Sequence, residues 1–265
     1  MKRLVAVLIV CVMSVSAMGD VLFSDDFSDG DSIGWTEHYS PAVTVATDTV
    51  IGDGYAMGVV ANAAEARSPV TSNFALTAEK LASVGDTLSL SFDFHLSKVG
   101  DKAKGFRFGL LKDDYDGYFV RLSTGTATGS SLSFDSAGSS GQILGGTFVN
   151  NPDAVPTSGS MVSISDMDKH TIELALTRGL VDVGGVDTKV MYMSVTLDGS
   201  STNTLTGAYS VTAFSLWTLD TVAFASSTDS DFVIDNVNVD FTPIPEPATL
   251  ALLGIGMLGM VRKRK

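Results

Sequence analysis

Hydrophobic and polar residues alternate along much of the chain. In the segment TLSLSFDFHLS, from Thr87 to Ser97, every second residue is Leu or Phe, and the residues between are Ser, Thr, Asp or His. A period of two places apolar side chains on one face of a β-strand and polar side chains on the other. Related apolar patterns occur in GFRFGLL (105–111), GYFVRLS (117–123), HTIELALTR (170–178), VMYMSVTLDG (190–199), SVTAFSLW (210–217) and FVIDNVNVDF (232–241).

Clusters of Gly, Asp, Asn and Ser separate these segments, and no stretch of useful length has the periodicity of an amphipathic helix. Many half-buried strands joined by turns are typical of two packed antiparallel sheets. The pattern therefore predicts an all-β protein, an antiparallel two-sheet sandwich of jelly-roll type. We expect a single domain over residues 20–242.

The first residues have the composition of a secretory signal peptide. Lys2 and Arg3 precede the apolar run Leu4–Val15, and Val15-Ser16-Ala17 fits a small-residue cleavage site. We expect residues 1–19 to be removed on export. The only cysteine, Cys11, lies in this segment, so the mature chain is expected to have no disulfide or thiolate metal site.

The other end of the chain has a second uncharged run, Ala248–Val261, followed by the four cations Arg262–Lys265. As a helix it would reach about 21 Å, short of the roughly 30 Å core of a bilayer. The cations would stay on the cytoplasmic side. Pro245-Glu246-Pro247 precedes the run, and its prolines keep the backbone extended and accessible. Either a removable sorting signal or an ordinary tail anchor fits these features.

Together, Pro245, Glu246 and Pro247, the apolar run and the basic end resemble the PEP-CTERM sorting signal of Gram-negative bacteria. The resemblance covers residues 243–265 and implies a short C-terminal transmembrane segment. It also implies recognition by an exosortase, cleavage near Pro245–Pro247 and delivery to the cell surface or the exopolysaccharide matrix. The chain would then pass through an inner-membrane-anchored intermediate, which requires the secretion machinery and transient contact with the membrane.

The chain is acidic, with 30 acidic and 17 basic residues and a formal net charge of −13. Such a surface repels nucleic acid and anionic membranes, and it suits divalent cations and neutral or cationic partners. Solubility alone would also explain the charge. The acids are 25 Asp against 5 Glu, and Asp is the residue of turns and calcium loops.

One calcium site is predicted where the ends of the domain meet. In FVIDNVNVDF the apolar residues change parity between Ile234 and Val237, which indicates a β-bulge at Asp235-Asn236. The first and last strands of jelly rolls commonly pair, which would bring these two residues close to the N-terminal acids. The predicted Ca²⁺ ligands are Asp25, Asp26, Asp29, Asp235 and Asn236. Ordinary turn and strand-edge roles are the alternative.

No catalytic constellation stands out. The four Glu residues before the tail are scattered, and there is no zinc-helix or nucleophile-elbow motif. We therefore expect a non-enzyme.

The segments TLSLSFDFHLS, GFRFGLL and DGYFVRLSTG resemble the concanavalin A-like lectin/glucanase superfamily, which implies a sandwich and glycan binding. Trp35 and Trp217 are candidates for stacking on sugars. The leading hypothesis is an exported, non-catalytic surface or matrix protein with a structural or adhesive body. The alternatives are a lectin with a defined sugar site and a glycan-active glucanase or lyase.

Overall fold

A computed structural model describes most of the chain. The described residues are 19–38, 43–52, 54–60, 67–74, 81–100, 102–112, 116–127, 129–135, 153–154, 157–211, 217–227 and 231–244. The predicted signal peptide (except Gly19), the Pro245–Pro247 processing point, the apolar tail segment and most of the predicted strand 210–217 lie outside these residues. The described part of the chain contains no helix that is long and apolar enough to cross a membrane.

The described residues form sixteen β-strands in two antiparallel sheets, which confirms the predicted all-β sandwich. The nine-stranded sheet has the spatial order β11 (Thr157–Ser160), β14 (Thr204–Ser210), β13 (Val186–Leu197), β12 (His170–Val183), β6 (Thr87–Lys98), β16 (Asp231–Thr242), β4 (Tyr55–Val59) and β3 (Val43–Thr47), and β1 (Asp20–Asp25) also pairs with β16. The seven-stranded sheet has the order β10 (Asp153–Ala154), β9 (Ser131–Asp135), β8 (Asp116–Thr124), β7 (Lys102–Lys112), β15 (Thr221–Ser227), β5 (Arg67–Asn73) and β2 (Trp35–Glu37). Since neighbouring strands are often distant in sequence, the chain crosses repeatedly between the sheets.

The two sheets pack face to face through aromatic side chains. Phe92 of the nine-stranded sheet lies with its ring centroid 5.0 Å from that of Phe108 and 4.9 Å from that of Phe224, both in the seven-stranded sheet. Phe106 stacks on Phe232 at 3.9 Å between centroids, again across the interface. The alternating Leu and Phe residues of β6 point into this core, as their period predicts.

The central strands of the seven-stranded sheet, β7, β8 and β15, are buried on both faces. Leu111, Phe119, Ala223 and Ala225 form a second, smaller apolar cluster on the face opposite the main core. Since both faces of β15 are buried, its sequence TVAFASS shows no clean alternation of apolar and polar residues.

The other face of the nine-stranded sheet carries rows of small polar side chains. Residues that are partners across antiparallel strands share a face, so the register defines these rows. One row is Asp240, Ser89, Ala175, Ser194, Thr206 and Ser158; the next is Thr242, Thr87, Thr177, Tyr192 and Ala208. A single aromatic residue, Tyr192, stands in these two rows.

Candidate functional site

The predicted meeting of the first and last strands is confirmed. β1 pairs with β16, with Asp25 opposite Val237. The register between β16 and β6 shifts between Asp235 and Asn238, and Asn236 has a φ of 53°. Asn tolerates this left-handed conformation better than most residues. The bulge predicted from the change of parity is therefore present.

Asp93, on the neighbouring strand β6, organises the polar groups at the bulge. Its Oδ1 accepts a hydrogen bond from the Thr171 hydroxyl at 2.8 Å, and its Oδ2 accepts one from Asn236 Nδ2 at 2.9 Å. Lys169 Nζ lies 2.9 Å from the same Oδ2. Burial disfavours the charged carboxylate, but these donors and the lysine charge outweigh it and lower the pKa of Asp93.

Asp235 is in the opposite electrostatic situation. Its pKa is raised because the carboxyl group is partly buried and because Asp93 and Asp26 place further negative charge near it; the Asn236 backbone N–H and Lys169 act against the rise. Asp26 and Asp235, two of the predicted calcium ligands, are therefore near enough for the negative charge of Asp26 to raise the pKa of Asp235. A cation between them would relieve the repulsion.

The remaining predicted ligands have other roles. Asp25 accepts hydrogen bonds from the Phe27 backbone N–H (2.8 Å) and from Trp35 Nε1 (2.7 Å), so its two oxygens hold the turn after β1 and the Trp35 indole. Asp29 closes a local turn by accepting the Asp31 backbone N–H. No group of three or more His, Cys, Asp or Glu side chains in the described ranges is arranged to hold a metal ion. The five predicted ligands thus do not form one cage here, and calcium binding stays a prediction.

That prediction now depends on Asp26 and Asp235. We expect millimolar Ca²⁺ to raise the melting temperature of metal-free protein, because a ligand that binds only the folded state stabilises it by about 2.7 kcal/mol at a hundredfold excess over its dissociation constant. Asp235→Ala should lose most of the rise, and the control Asp29→Ala should keep it. Identical melting in Ca²⁺ and in chelator would leave these residues as strand-end polar groups.

His170, at the start of β12, is clamped between two carboxylates. Its Nδ1 lies 2.9 Å from Asp198 Oδ2 and its Nε2 lies 2.9 Å from Asp166 Oδ1. Carboxylates accept hydrogen bonds, so this geometry suits the imidazolium, which donates from both nitrogens. Burial lowers the pKa of His170, but the two carboxylates outweigh that cause and the net shift is upward. The clamp joins the turn after β13 to the entry of β12.

The clamp should make stability depend on pH. Because the folded-state pKa of His170 lies above the ordinary value of 6.5, its stabilising contribution is complete below pH 6.5 and is lost as pH rises through the folded-state pKa. We expect His170→Gln to lower the free energy of unfolding by about 1 kcal/mol at pH 6, because solvent screens the exposed carboxylates of Asp166 and Asp198. The loss should shrink at pH 9. Equal losses in denaturant melts at both values would contradict a titrating clamp.

The two tryptophans are not on the surface, which corrects their predicted sugar-stacking role. Trp35 is 9% exposed and packs against the rings of Phe23, Phe27 and Phe224 at 5.7–5.9 Å between centroids. Trp217 is 2% exposed, and the guanidinium carbon Cζ of Arg178 lies over its ring, 4.9 Å from the ring centroid. Large rings contribute most by burial in a sandwich core, and neither ring offers a free face to a ligand.

Tyr192, which was not among the predicted sugar-stacking residues, is exposed instead. Tyr192 is 41% exposed, and a groove of about 370 Å³ beside it is lined by Tyr192 with Ser158, Thr206, Gly207 and Ala208. The groove crosses β11, β14 and β13 at one edge of the nine-stranded sheet. A signal was present in the sequence, since Tyr192 alternates with the buried Met191 and Met193 and shares the parity of Ser194 and Thr196.

Comparison with known proteins identifies the C-terminal segment. Residues 243–265 match the family model of the PEP-CTERM protein-sorting motif, which confirms the resemblance seen in the sequence. No curated protein matches the chain in sequence. The chain is thus an exported all-β protein with a C-terminal PEP-CTERM sorting signal.

Several solved structures resemble the chain at low sequence identity. A carbohydrate esterase from the Shiga toxin-encoding bacteriophage phi24B has 12% identity and a TM-score of 0.48, covering 85% of this chain and all of that one. The xylan-binding domain CBM22-1 from Paenibacillus barcinonensis has 14% identity and a TM-score of 0.39, with coverages of 86% and 97%. The winged bean acidic lectin has 10% identity and a TM-score of 0.40, with coverages of 84% and 98%. Likeness at this level does not extend to activity or ligand.

Proposed function

We propose that the protein is processed by an exosortase near Pro245–Pro247 and retained at the cell surface or in the exopolysaccharide matrix. The match of residues 243–265 to the PEP-CTERM sorting motif carries this proposal. The predicted signal peptide supplies the export step that such sorting requires. The apolar run and the cations of the tail would hold the chain in the inner membrane until cleavage.

Intact-mass analysis of the protein recovered from the surface of its producing bacterium tests the processing step. We expect a mass that lacks Arg262–Lys265 and the apolar run, since a removable signal leaves with its membrane segment. A variant with Ala at positions 245, 246 and 247 should remain in the membrane fraction at full tail length. Surface-exposed protein that still carries Arg262–Lys265 would indicate a permanent tail anchor.

The body is proposed to be structural or adhesive and non-catalytic. Glycosidases need two carboxylic acids at a defined separation across one site. Glu37 and Glu173, the described glutamates, lie on β2 and β12, which belong to different sheets, so these two residues do not form such a pair. A screen for polysaccharide hydrolysis and lyase activity tests this part. Turnover that a single carboxylate substitution abolishes would identify an enzyme.

Glycan binding is the second candidate function of the body. The observation that favours it is the open groove beside the exposed Tyr192 on a face of small hydroxylated side chains. Adhesion within a polysaccharide matrix would need such contacts, and they need not be tight if many copies act together.

A further inference from the structure

We propose that the groove beside Tyr192 binds a neutral polysaccharide chain. The inference deepens, and rests on, the adhesive role proposed above. An aromatic ring offers an apolar face and a hydroxyl tip, and it suits a ligand that is itself apolar on one face and polar at its rim, as a pyranose ring is. Ser158 and Thr206, cross-strand partners at the groove, add hydroxyl groups that both donate and accept.

The small residues of β14 shape the groove. Gly207 and Ala208 line it between Tyr192 and Ser158, so little side-chain volume stands over the backbone there. In the described ranges, β11 pairs with β14 over Thr204–Gly207, and the groove lies beside this pairing, between Ser158 and Tyr192. Its volume of about 370 Å³ lies at the low end of the roughly 300–1,000 Å³ of small-molecule sites. This volume has room for a short stretch of a polysaccharide chain.

The Tyr192 ring is held in place before any ligand arrives. It leans over Gly179 of β12, so closely that a Cβ atom on that glycine would lie 2.1 Å from Tyr192 Cε2. A ring that packs across a strand glycine loses rotational freedom in the free protein, so less is lost on binding. Gly179 therefore sets the position of the ring that the proposal uses.

Charge selects a neutral chain over an acidic one. None of the five residues that line the groove is Asp, Glu, Lys or Arg, and the whole chain carries a formal net charge of −13. A polyanion would gain no ion pair in the groove and would be repelled by the surrounding field. Beyond the groove, the row that contains Ser194, Ala175 and Ser89 continues the small polar surface across the sheet.

A peptide added to the sheet edge is the competing ligand, and its chemistry differs. Strand addition uses backbone hydrogen bonds along a sheet edge and depends little on an aromatic ring on the sheet face. Binding of a polysaccharide depends on the Tyr192 ring and on the space above the small residues Gly207 and Ala208. Substitutions of Tyr192 and Ala208 therefore separate the two.

The test is affinity electrophoresis of the full chain in a mild non-ionic detergent, through gels that contain arabinoxylan, galactomannan, β-glucan or, as the anionic probe, alginate. We expect retardation by at least one neutral polysaccharide and none by alginate. Tyr192→Ala should weaken binding about tenfold, a change in proportion to the loss of one aromatic contact. Tyr192→Phe, which keeps the ring, should retain most of the affinity, and Ala208→Leu, which keeps Tyr192 and fills the floor, should abolish it.

Tyr55→Ala is the matched control. Tyr55 is also 41% exposed, lies in the same sheet on β4 and packs over a glycine, Gly30. It should bind like the wild type, and the melting temperature of each variant shows whether it is folded. Unchanged binding in Tyr192→Ala and Ala208→Leu would overturn the site while leaving a glycan-binding body. The inference would be overturned by retardation in alginate alone, by binding of an extended peptide instead, or by the absence of retardation with every neutral probe. None of these outcomes affects the proposed sorting, which the mass of the processed tail tests separately.

Discussion

Replacing Phe92 by alanine should lower the free energy of unfolding by about 3–5 kcal/mol, the range for a buried Phe→Ala change. Phe92 is 1% exposed, and its ring contacts Phe106, Phe108 and Phe224 of the opposite sheet at 4.9–6.0 Å between centroids. Alanine would remove both the transfer energy of the ring and the contacts that join the sheets, and β-strands on both sides limit how far the cavity can close.

Thermal and denaturant melts measure this effect. For a domain of 150–250 residues, each kcal/mol corresponds to about 2–4 °C, so the midpoint should fall by roughly 10 °C. Val21→Ala is the control, because Val21 is 63% exposed on β1 and should change stability by no more than about 0.5 kcal/mol. A loss below 1 kcal/mol for Phe92→Ala would mean that the sheets do not pack through this ring.

Gly109→Ala should also destabilise the protein strongly, although alanine is usually better tolerated than glycine in a strand. A Cβ atom at Gly109 would lie 2.3 Å from the Tyr118 carbonyl oxygen and 2.5 Å from Phe119 Cβ, on the neighbouring strand β8. Backbone atoms cannot rotate aside, so β7 and β8 would have to separate locally. We expect a loss of about 1–3 kcal/mol, the usual cost of overpacking.

Gly52→Ala is the matched control for this position. A Cβ atom at Gly52 meets nothing within 4 Å, so alanine should be neutral there or stabilise by up to about 1 kcal/mol through the unfolded chain. Equal stability of Gly109→Ala and Gly52→Ala in denaturant melts would show that β7 and β8 are not as close as the structure places them.

Local patterns in the sequence were enough for several elements of the fold. Alternation in TLSLSFDFHLS correctly predicted β6 and the face it buries. The change of parity between Ile234 and Val237 correctly located the bulge of β16. Both follow from the side-chain period of a single strand, which does not depend on the rest of the molecule.

β15 shows where such patterns stop working. Val222, Ala223, Phe224 and Ala225 are all fully buried, because the main core covers one face of the strand and the second apolar cluster occupies the other. A strand that is buried on both faces has no alternation of apolar and polar residues from which its faces could be predicted. Its place between β7 and β5 is a property of the assembled sheet.

The candidate site at the bulge of β16 was also predicted only in part from the sequence. The sequence correctly predicted that the first and last strands of the domain meet, but Asp93 was not among the predicted calcium ligands. Asp93 contacts Thr171 and Asn236, which lie 78 and 143 positions away in the chain. Asp25, which looked like a metal ligand, instead anchors the Trp35 indole. Partners at such separations depend on strand order, which a local pattern does not contain.

The sequence by itself determined the all-β class, the bulge near the end of the domain and the C-terminal sorting signal, because each depends on the local order of residues within short segments. Only the tertiary structure decided which aromatic rings face solvent. Trp35 and Trp217 are buried between elements, whereas Tyr192 stands exposed where its ring can lean on Gly179 and where β14 offers small neighbours. Exposure depends on what neighbouring strands bring alongside, and that is settled by packing.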